Sequence, residues 1–354
     1  MKKKLLILAP YPHDCAPSQR FRFEQYLPYF KEELDVRFES FIDLTTWKKL
    51  YEPGRIGFKA FKMFQSFARR ILLLPAIMRS DFILVHREMA QIGPPVLEWI
   101  VAKVLRKKFI YDFDDAIWIP NYSETNKTFQ RIKAYWKVRY LMKWAHHVMA
   151  GNEYLADFAR VYNKKVTVVP TTIDTNYHKE NKSESSPLII GWTGSHTTMH
   201  YLAALEPVLK KLSEKFEFQF RVISNQPPEF PLTNLEFIKW SGDREIEDLS
   251  AISIGVMTLI EDKWAAGKCG FKALQYMSIG IPAVVSPVGV NKTIIQDGVN
   301  GFFASSEEEW LMILEKLIKE QDLRSQVGRA AIDSIEKNFS VNAHKKTYID
   351  IITS

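Results

Sequence analysis

Residues 267–291 read GKCGFKALQYMSIGIPAVVSPVGVN, a run whose order of elements decides the fold class of the chain. Gly267 and Gly270 open a loop, the stretch from about Gly270 has helical spacing and is stopped by Gly280, and Ala283–Ser286 is a short apolar strand leading into a second tight loop, Pro287–Gly289. Loop, helix, buried strand and loop in that order belong to an α/β layer with parallel strands. If the helix starts near Gly270, Lys268, Lys272 and Gln275 fall at i, i+4 and i+7. Two ammonium groups and an amide then share one face near the positive end of the helix dipole, a place suited to phosphate. Solvated lysines on an ordinary amphipathic helix are the plainer alternative. The flanking glycines, which clear side chains from the approach, weigh against it.

Working outward, the chain opens twice in the same way. Lys4–Pro10 is an apolar strand feeding a polar loop and a helical stretch from about Arg22. Pro187–Thr193 is another such strand, feeding Gly194-Ser195-His196 and a helix expected over Thr198–Phe216. After the first opening the pattern predicts strands near 34–38, 82–86, 108–112, 147–150 and 166–169. After the second it predicts strands near 218–224, 235–239, 254–259, 283–286 and 301–304. Strands alternating with helices imply two parallel sheets with right-handed crossovers. The fold class read from this is α/β, with two Rossmann-like doubly wound domains facing across a cleft. The expected divisions are an N-terminal domain at 1–177, a polar linker at 178–186, a C-terminal domain at 187–338 and a C-terminal helix at 339–354 that packs back on the N-terminal domain. Ligands of such sheets bind outside the carboxyl ends of the strands, which selects the loops that begin at Tyr11, His86, Asp112, Gly151, Thr193, Ser224, Trp240, Ile260 and Pro287.

With 354 residues, 46% of them hydrophobic and 25% charged, the chain has the composition of a soluble globular protein. Lys2–Lys4 precede too short an apolar run for a secretory signal, and Pro75 breaks the apolar run Ile71–Met78, so a cytoplasmic protein is expected. Two cysteines, Cys15 and Cys269, lack disulfide or metal spacing and read as buried free thiols. The net charge of +7 is uneven: residues 1–177 carry 29 Lys and Arg against 18 Asp and Glu, and the remainder 19 against 23. Cations cluster at Arg55–Arg79 and Lys127–Lys143, interleaved with aromatic residues. That surface suits nucleic acid or an anionic membrane, and helices with aromatic cores and solvated lysines fit each stretch equally well.

The run 268–291, Asp297–Gly301 (DGVNG), Ser18–Arg22, Tyr111–Trp118 (YDFDDAIW) and Gly151-Asn152 together resemble the retaining glycosyltransferases of the two-Rossmann (GT-B) fold, and within them the family 4 group. The resemblance implies transfer of a sugar from a nucleoside diphosphate donor, held mainly by the C-terminal domain, with retention of anomeric configuration. Members commonly carry two glutamates eight positions apart. This chain has Gly267 and Gln275 there, and the Gln275 amide is still able to bond a ribose hydroxyl.

A departing diphosphate gathers charge as the glycosidic bond breaks, so cations and amides aimed at it lower the barrier. Lys268 and Lys272 are the first candidates, with Gly194 and Ser195 supplying loop amides or a hydroxyl and Arg20 reaching the donor from the first domain. Ser224, Asn225 and Trp240 are placed to flank a base, and Glu261 to meet the donor sugar. His196 follows β-strand Pro187–Thr193 and reads equally well as a structural histidine. Asp112-Phe113-Asp114-Asp115 follows a strand, and Asp114 or Asp112 is the candidate carboxylate at the reacting centre, where the family often carries a histidine. Capping and turn roles account for one or two of these carboxylates. A further reading takes Asp112-x-Asp114 as the metal-binding pair of the other major glycosyltransferase fold. Ser18, Arg22, His86 and Asn152 are assigned to the acceptor side, with ordinary helix-start roles as alternatives for Arg20 and Arg22 and an Asx turn for Asn152.

The expected activity is a metal-independent, hexosyltransferase-type glycosyltransferase without cofactor, making cell-surface polysaccharide or glycolipid. Its expected partners are a nucleotide-sugar donor, a glycan or lipid-linked acceptor and the anionic inner face of the cytoplasmic membrane, without nucleic acid. The alternatives are a non-catalytic nucleotide-sugar-binding module and a nucleotide-sugar epimerase of the same architecture.

Overall fold

The computed structural model describes residues 2–50, 54–120, 132–179, 186–229 and 231–354. Of the expected linker, 180–185 lie outside the described residues, as does the start of the cationic run at Lys127. The chain forms two compact units, Met1–Thr171 with His344–Ser354, and Thr172–Ala343.

The first unit is built on six parallel strands: β1 (Lys4–Ala9), β2 (Asp35–Ser40), β3 (Phe82–His86), β4 (Ile110–Phe113), β5 (His147–Ala150) and β6 (Val166–Val168). Their spatial order is β2-β1-β3-β4-β5-β6. β1 runs KLLILA and is buried from its second residue onward, as a central parallel strand covered by helices on both faces must be. The order reverses between β1 and β3, so the loops after Ala9 and His86 open at the switch point. Register sets His86 beside Asp112 at the carboxyl edge.

The second unit repeats the design with β7 (Ile189–Thr193), β8 (Gln219–Ser224), β9 (Leu235–Lys239), β10 (Ile254–Met257), β11 (Ala283–Val285) and β12 (Phe302–Phe303), in the order β12-β11-β10-β7-β8-β9. Trp192, Phe220, Val222, Val256 and Val284 from the strands meet Leu209 and Leu314 from the helices in one core. The helix Glu307–Lys319 enters through a capping box, Ser306 and Glu309 each satisfying the other's backbone amide. On the site side, packed against the helix Gln321–Asn338, is the helix Phe271–Ser278. The Tyr276 ring of that helix lies flat against Gly255 of β10, where an added Cβ would come within 2.4 Å of it. The Tyr276 hydroxyl accepts the Thr193 amide at 2.9 Å, tying the helix to the end of β7.

Two helices and one cysteine differ from their sequence patterns. The helix expected over Thr198–Phe216 is a 3-10 segment, His196–Leu205, followed by an α-helix, Glu206–Ser213. Pro207 sits in the first turn of the latter, where a missing N–H costs nothing, and so marks the place where α geometry begins. The glycine-loop helix begins at Phe271, with Gly270 at its cap in a left-handed conformation (φ 67°), so Lys268 precedes the helix and does not share its face. Cys269 is buried, whereas Cys15 is only half-buried. No described helix is long and apolar enough to cross a membrane.

Candidate active site

At the carboxyl edge of the second sheet, Lys272 occupies the first turn of the helix Phe271–Ser278. Its ammonium lies 4.7 Å from the centroid of the buried Trp192 ring and 3.5 Å from Thr198 Oγ1. Among the described residues no carboxylate pairs with it. Burial, and after it the nearby Lys268, pushes Lys272 down to about 7. Gly194 makes this packing possible: an added Cβ would come within 2.6 Å of the Trp192 ring and 2.7 Å of Lys272 Cε. Lys268 stands over Trp264 at 4.7 Å. A half-buried ammonium with a second cation beside it and no acid against it is a seat for an anion.

Ser195 and His196 form the rim of this seat. The His196 amide donates to Asn225 Oδ1 at 2.9 Å, and Asn225 Nδ2 lies 3.0 Å from His196 Nδ1, so the loops after β7 and β8 are stitched together. Ser224 is buried beneath them, 3.4 Å from Asn225 Oδ1. Gln275 departs from its expected place on the lysine face. It is buried and donates to Glu245 Oε1 at 3.3 Å, and Trp240 Nε1 donates to the same oxygen at 3.4 Å. Glu261 is exposed at the end of β10, and the neighbouring Asp262 caps the helix Lys263–Ala266 by accepting the Ala265 amide at 2.7 Å.

In the first unit, Asp112, Arg22 and His86 converge, but in the interior. Arg22 donates to both carboxylate oxygens of Asp112, through Nη2 at 2.5 Å and Nε at 3.4 Å, and through Nη1 to the Val169 carbonyl. His86 Nδ1 lies 2.7 Å from Asp112 Oδ2, and the Tyr348 hydroxyl donates to Asp112 Oδ1 at 3.3 Å. Burial alone pushes the Asp112 carboxyl up; Arg22 and His86 outweigh it and hold the group at about 2. Asp112, expected at the reacting centre, and Arg22 and His86, expected on the acceptor side, thus lie together in the interior of the first unit. All three side chains are buried; the Asp112 carboxylate is shared among Arg22, His86 and Tyr348, while His86 Nε2 has no hydrogen-bond partner among the described residues. Asp114 is engaged separately, by Arg87 Nε at 2.8 Å.

These geometries sit in a fold with known counterparts. The chain aligns over 99% of its length with 99% of HepE of Anabaena, solved with UDP and glucose, at a TM-score of 0.72 and 14% identity. It aligns over 99% with 98% of sucrose-phosphate synthase of Thermosynechococcus elongatus, at 0.69 and 11%. Residues 188–320 match the glycosyl transferases group 1 family. The fold is that of the GT-B glycosyltransferases. Over 85 residues the chain is 29% identical to the trehalose synthase of Pyrococcus horikoshii, a segment that is 24% of this chain and spans 20% of that relative's length.

Within this GT-B fold the remaining candidates take plainer positions. Arg20 pairs with Asp14 at 2.9 Å, and Ser18 lies in the short helix Pro17–Arg20 at the loop after β1. Asn152 is the N-cap of the helix Glu153–Arg160, accepting the Leu155 amide at 2.9 Å. Among the described residues no group of three or more His, Cys, Asp or Glu side chains is arranged to hold a metal ion.

Several neighbours of the candidate residues in each unit escaped the sequence reading. Trp192 and Thr198 position Lys272, but a tryptophan in a strand reads as core. Gln19, fully buried, binds the Tyr11 amide and carbonyl and donates to Glu24, shaping the loop at the switch point. Arg87 holds Asp114 from a left-handed backbone position (φ 57°), a conformation that side chain type does not announce. Glu245 restores a carboxylate beside Gln275, but it lies 30 residues away in sequence.

Proposed function

We propose that the protein is a retaining glycosyltransferase that moves a hexosyl group from a nucleoside diphosphate sugar to a glycan or lipid-linked acceptor in cell-surface polysaccharide or glycolipid synthesis. The observation that carries the reading is Lys272, held over Trp192 beside Thr198 with no acid against it among the described residues. Its charge is uncompensated until an anion arrives, and that charge gains value as the leaving diphosphate becomes more negative. Lys268 adds a second cation, so the proposed chemistry needs neither metal nor cofactor. Gly194 and Ser195 line the approach to Lys272, and Asn225 holds the adjoining loop. Asp114 is the carboxylate proposed for the reacting centre, and Arg20 the cation on the first unit's side of the donor. The proposed setting is the cytoplasm, at the inner face of the membrane.

The relatives support the donor class: HepE is solved with UDP-glucose. Titration of the protein with UDP-glucose and other nucleotide sugars, followed by NMR of the transfer product, tests both parts. The anomeric configuration of the donor is expected in the product. Inversion, or strict dependence of transfer on a divalent ion, overturns the mechanism. Asp114→Asn is expected to lower turnover and leave UDP binding intact.

A second reading has its own observation. Gly267 and Gln275 stand where the resembled family carries its acidic pair, which fits a module that binds the nucleotide sugar without turning it over. UDP binding with neither hydrolysis nor transfer across an acceptor panel would select it.

A further inference from the structure

We propose that the first unit docks on an anionic lipid bilayer through the helix Ile56–Leu72 and an aromatic groove at Trp99 and Trp136. The helix buries Met63, Ser66 and Arg70 and turns an apolar stripe outward. Phe61, Phe64, Ile71 and Leu72 recur at helical spacing along that stripe, with Phe64 at 73% and Leu72 at 78% exposure, and Met78 is exposed on the next helix, Leu74–Arg79. Such a face on a helix whose other side is already packed is a surface waiting for an apolar partner. The groove, of about 230 Å³, is lined by Pro95, Trp99, Trp136, Tyr140 and Trp144 and is apolar throughout. Tryptophan and tyrosine at such a rim are the side chains that settle at the headgroup level of a membrane.

Charge selects the occupant. Residues 54–80 hold six Lys and Arg and no Asp or Glu, and residues 132–152 hold four and none; Arg70 and Lys137 are buried and Lys62 pairs with Asp43, and Arg55, Arg79, Arg139 and Lys143 are the exposed ones. Two copies of this face would repel each other, whereas an anionic headgroup layer attracts the cations and accepts the aromatic rings beneath it.

Both elements are anchored to one loop. Buried Arg70 donates to the Met89 carbonyl at 2.9 Å and to the Ala9 and Glu39 carbonyls at 2.8 and 3.0 Å, at the carboxyl ends of β1 and β2. Lys137 donates to the adjacent Ala90 carbonyl at 2.6 Å, and the Gly93 amide to the Ile132 carbonyl at 2.8 Å. The loop following β3 is thus gripped from both sides by the two apolar elements. A bilayer bound there delivers a lipid-linked acceptor to the carboxyl edge of the first sheet. Only this last step rests on the function proposed above; the docking itself does not.

The test is flotation of the full chain with phosphatidylcholine vesicles, with and without phosphatidylglycerol, in low and high salt and without donor. Binding is expected to need the anionic lipid and to weaken with salt. Phe61→Glu with Phe64→Glu is expected to lower partitioning about tenfold or more, with thermal unfolding and UDP-glucose binding unchanged. Lys59→Ala with Arg79→Ala, which leaves the apolar stripe intact, is expected to lower binding to anionic vesicles alone. Equal binding to neutral and anionic vesicles, or undiminished flotation of the phenylalanine variant, overturns the proposal. So does a dimer in light scattering that the phenylalanine variant abolishes, which would assign the stripe to a second copy. UDP-glucose binding in the same preparations reports on the donor site separately, so a failure of either reading is told from a failure of the other.

Discussion

Arg22 and Asp112 form an ion pair in the interior of the first unit, Nη2 to Oδ1 at 2.5 Å, with no exposure of either side chain. His86 and Tyr348 complete the ring around the carboxylate, the latter from the C-terminal helix. The pair ties the loop after β1 to the end of β4, and the Arg22 bond to the Val169 carbonyl extends it past β6. Removing the acid would leave a buried guanidinium without its counter-ion. Asp112→Asn is therefore expected to cost about 3–5 kcal/mol of stability, read as a lower urea midpoint, while UDP-glucose affinity of the folded fraction is unchanged. A catalytic carboxylate would give the reverse pattern.

The same pair sets an acid limit. In the folded chain Asp112 is held at about 2, below its ordinary value of 3.8, so the stabilisation is complete above pH 4 and is lost as pH falls from there through 2. The amount at stake is about 2 kcal/mol. Acid unfolding of the wild type followed by circular dichroism should show this loss between pH 4 and 2. In Asp112→Asn that part of the pH dependence should be missing.

How far these features were legible in the sequence depended on how local their causes were. His147–Ala150 and Leu235–Lys239 match their expected strands because burial pattern and flanking polar residues coincide there. At Leu259 and Ser286 the apolar pattern runs past the ladder, since a residue just beyond a strand end is still covered by the layer above. The loop and helix that carry Lys272 were readable because glycine spacing and helix start lie within a dozen residues. The role of Asp112 was not, because its partners stand 90 and 236 positions away and only the sheet register brings them together. Gln275 turned inward for a similar reason, as Glu245 and Trp240 arrive from the connection after β9.

Gly194 offers a test of the seat that leaves every charge in place. A methyl group there would meet the Trp192 ring at 2.6 Å and Lys272 Cε at 2.7 Å. The flexible lysine gives way, and because the tryptophan is fixed in the core the loop at residue 194 must shift as well. Gly194→Ala is expected to weaken UDP-glucose binding by about tenfold, about 1.4 kcal/mol, with a change in melting temperature much smaller than that of Asp112→Asn. Calorimetric titration checks this, and unaltered affinity would mean that the ammonium position is immaterial to the donor.

Lys272 itself should make donor binding depend on pH. Burial and Lys268 lower its folded value from 10.5 to about 7, so below pH 7 it is charged in both folded and unfolded chains, and between 7 and 10.5 the unfolded chain holds the extra proton. Stability without ligand therefore rises with pH across that window. A bound diphosphate reverses the preference by favouring the ammonium. UDP-glucose, whose phosphates do not titrate there, should bind with uptake of a proton, and its dissociation constant should rise up to about tenfold per pH unit above 7. Titration calorimetry in buffers of different ionisation enthalpy counts that proton directly. In Lys272→Ala the uptake should vanish and turnover should fall by about 10²–10³, whereas Lys272→Arg, charged throughout, should bind without pH dependence. Proton uptake persisting in Lys272→Ala would place the titrating cation elsewhere and remove the lysine from the diphosphate.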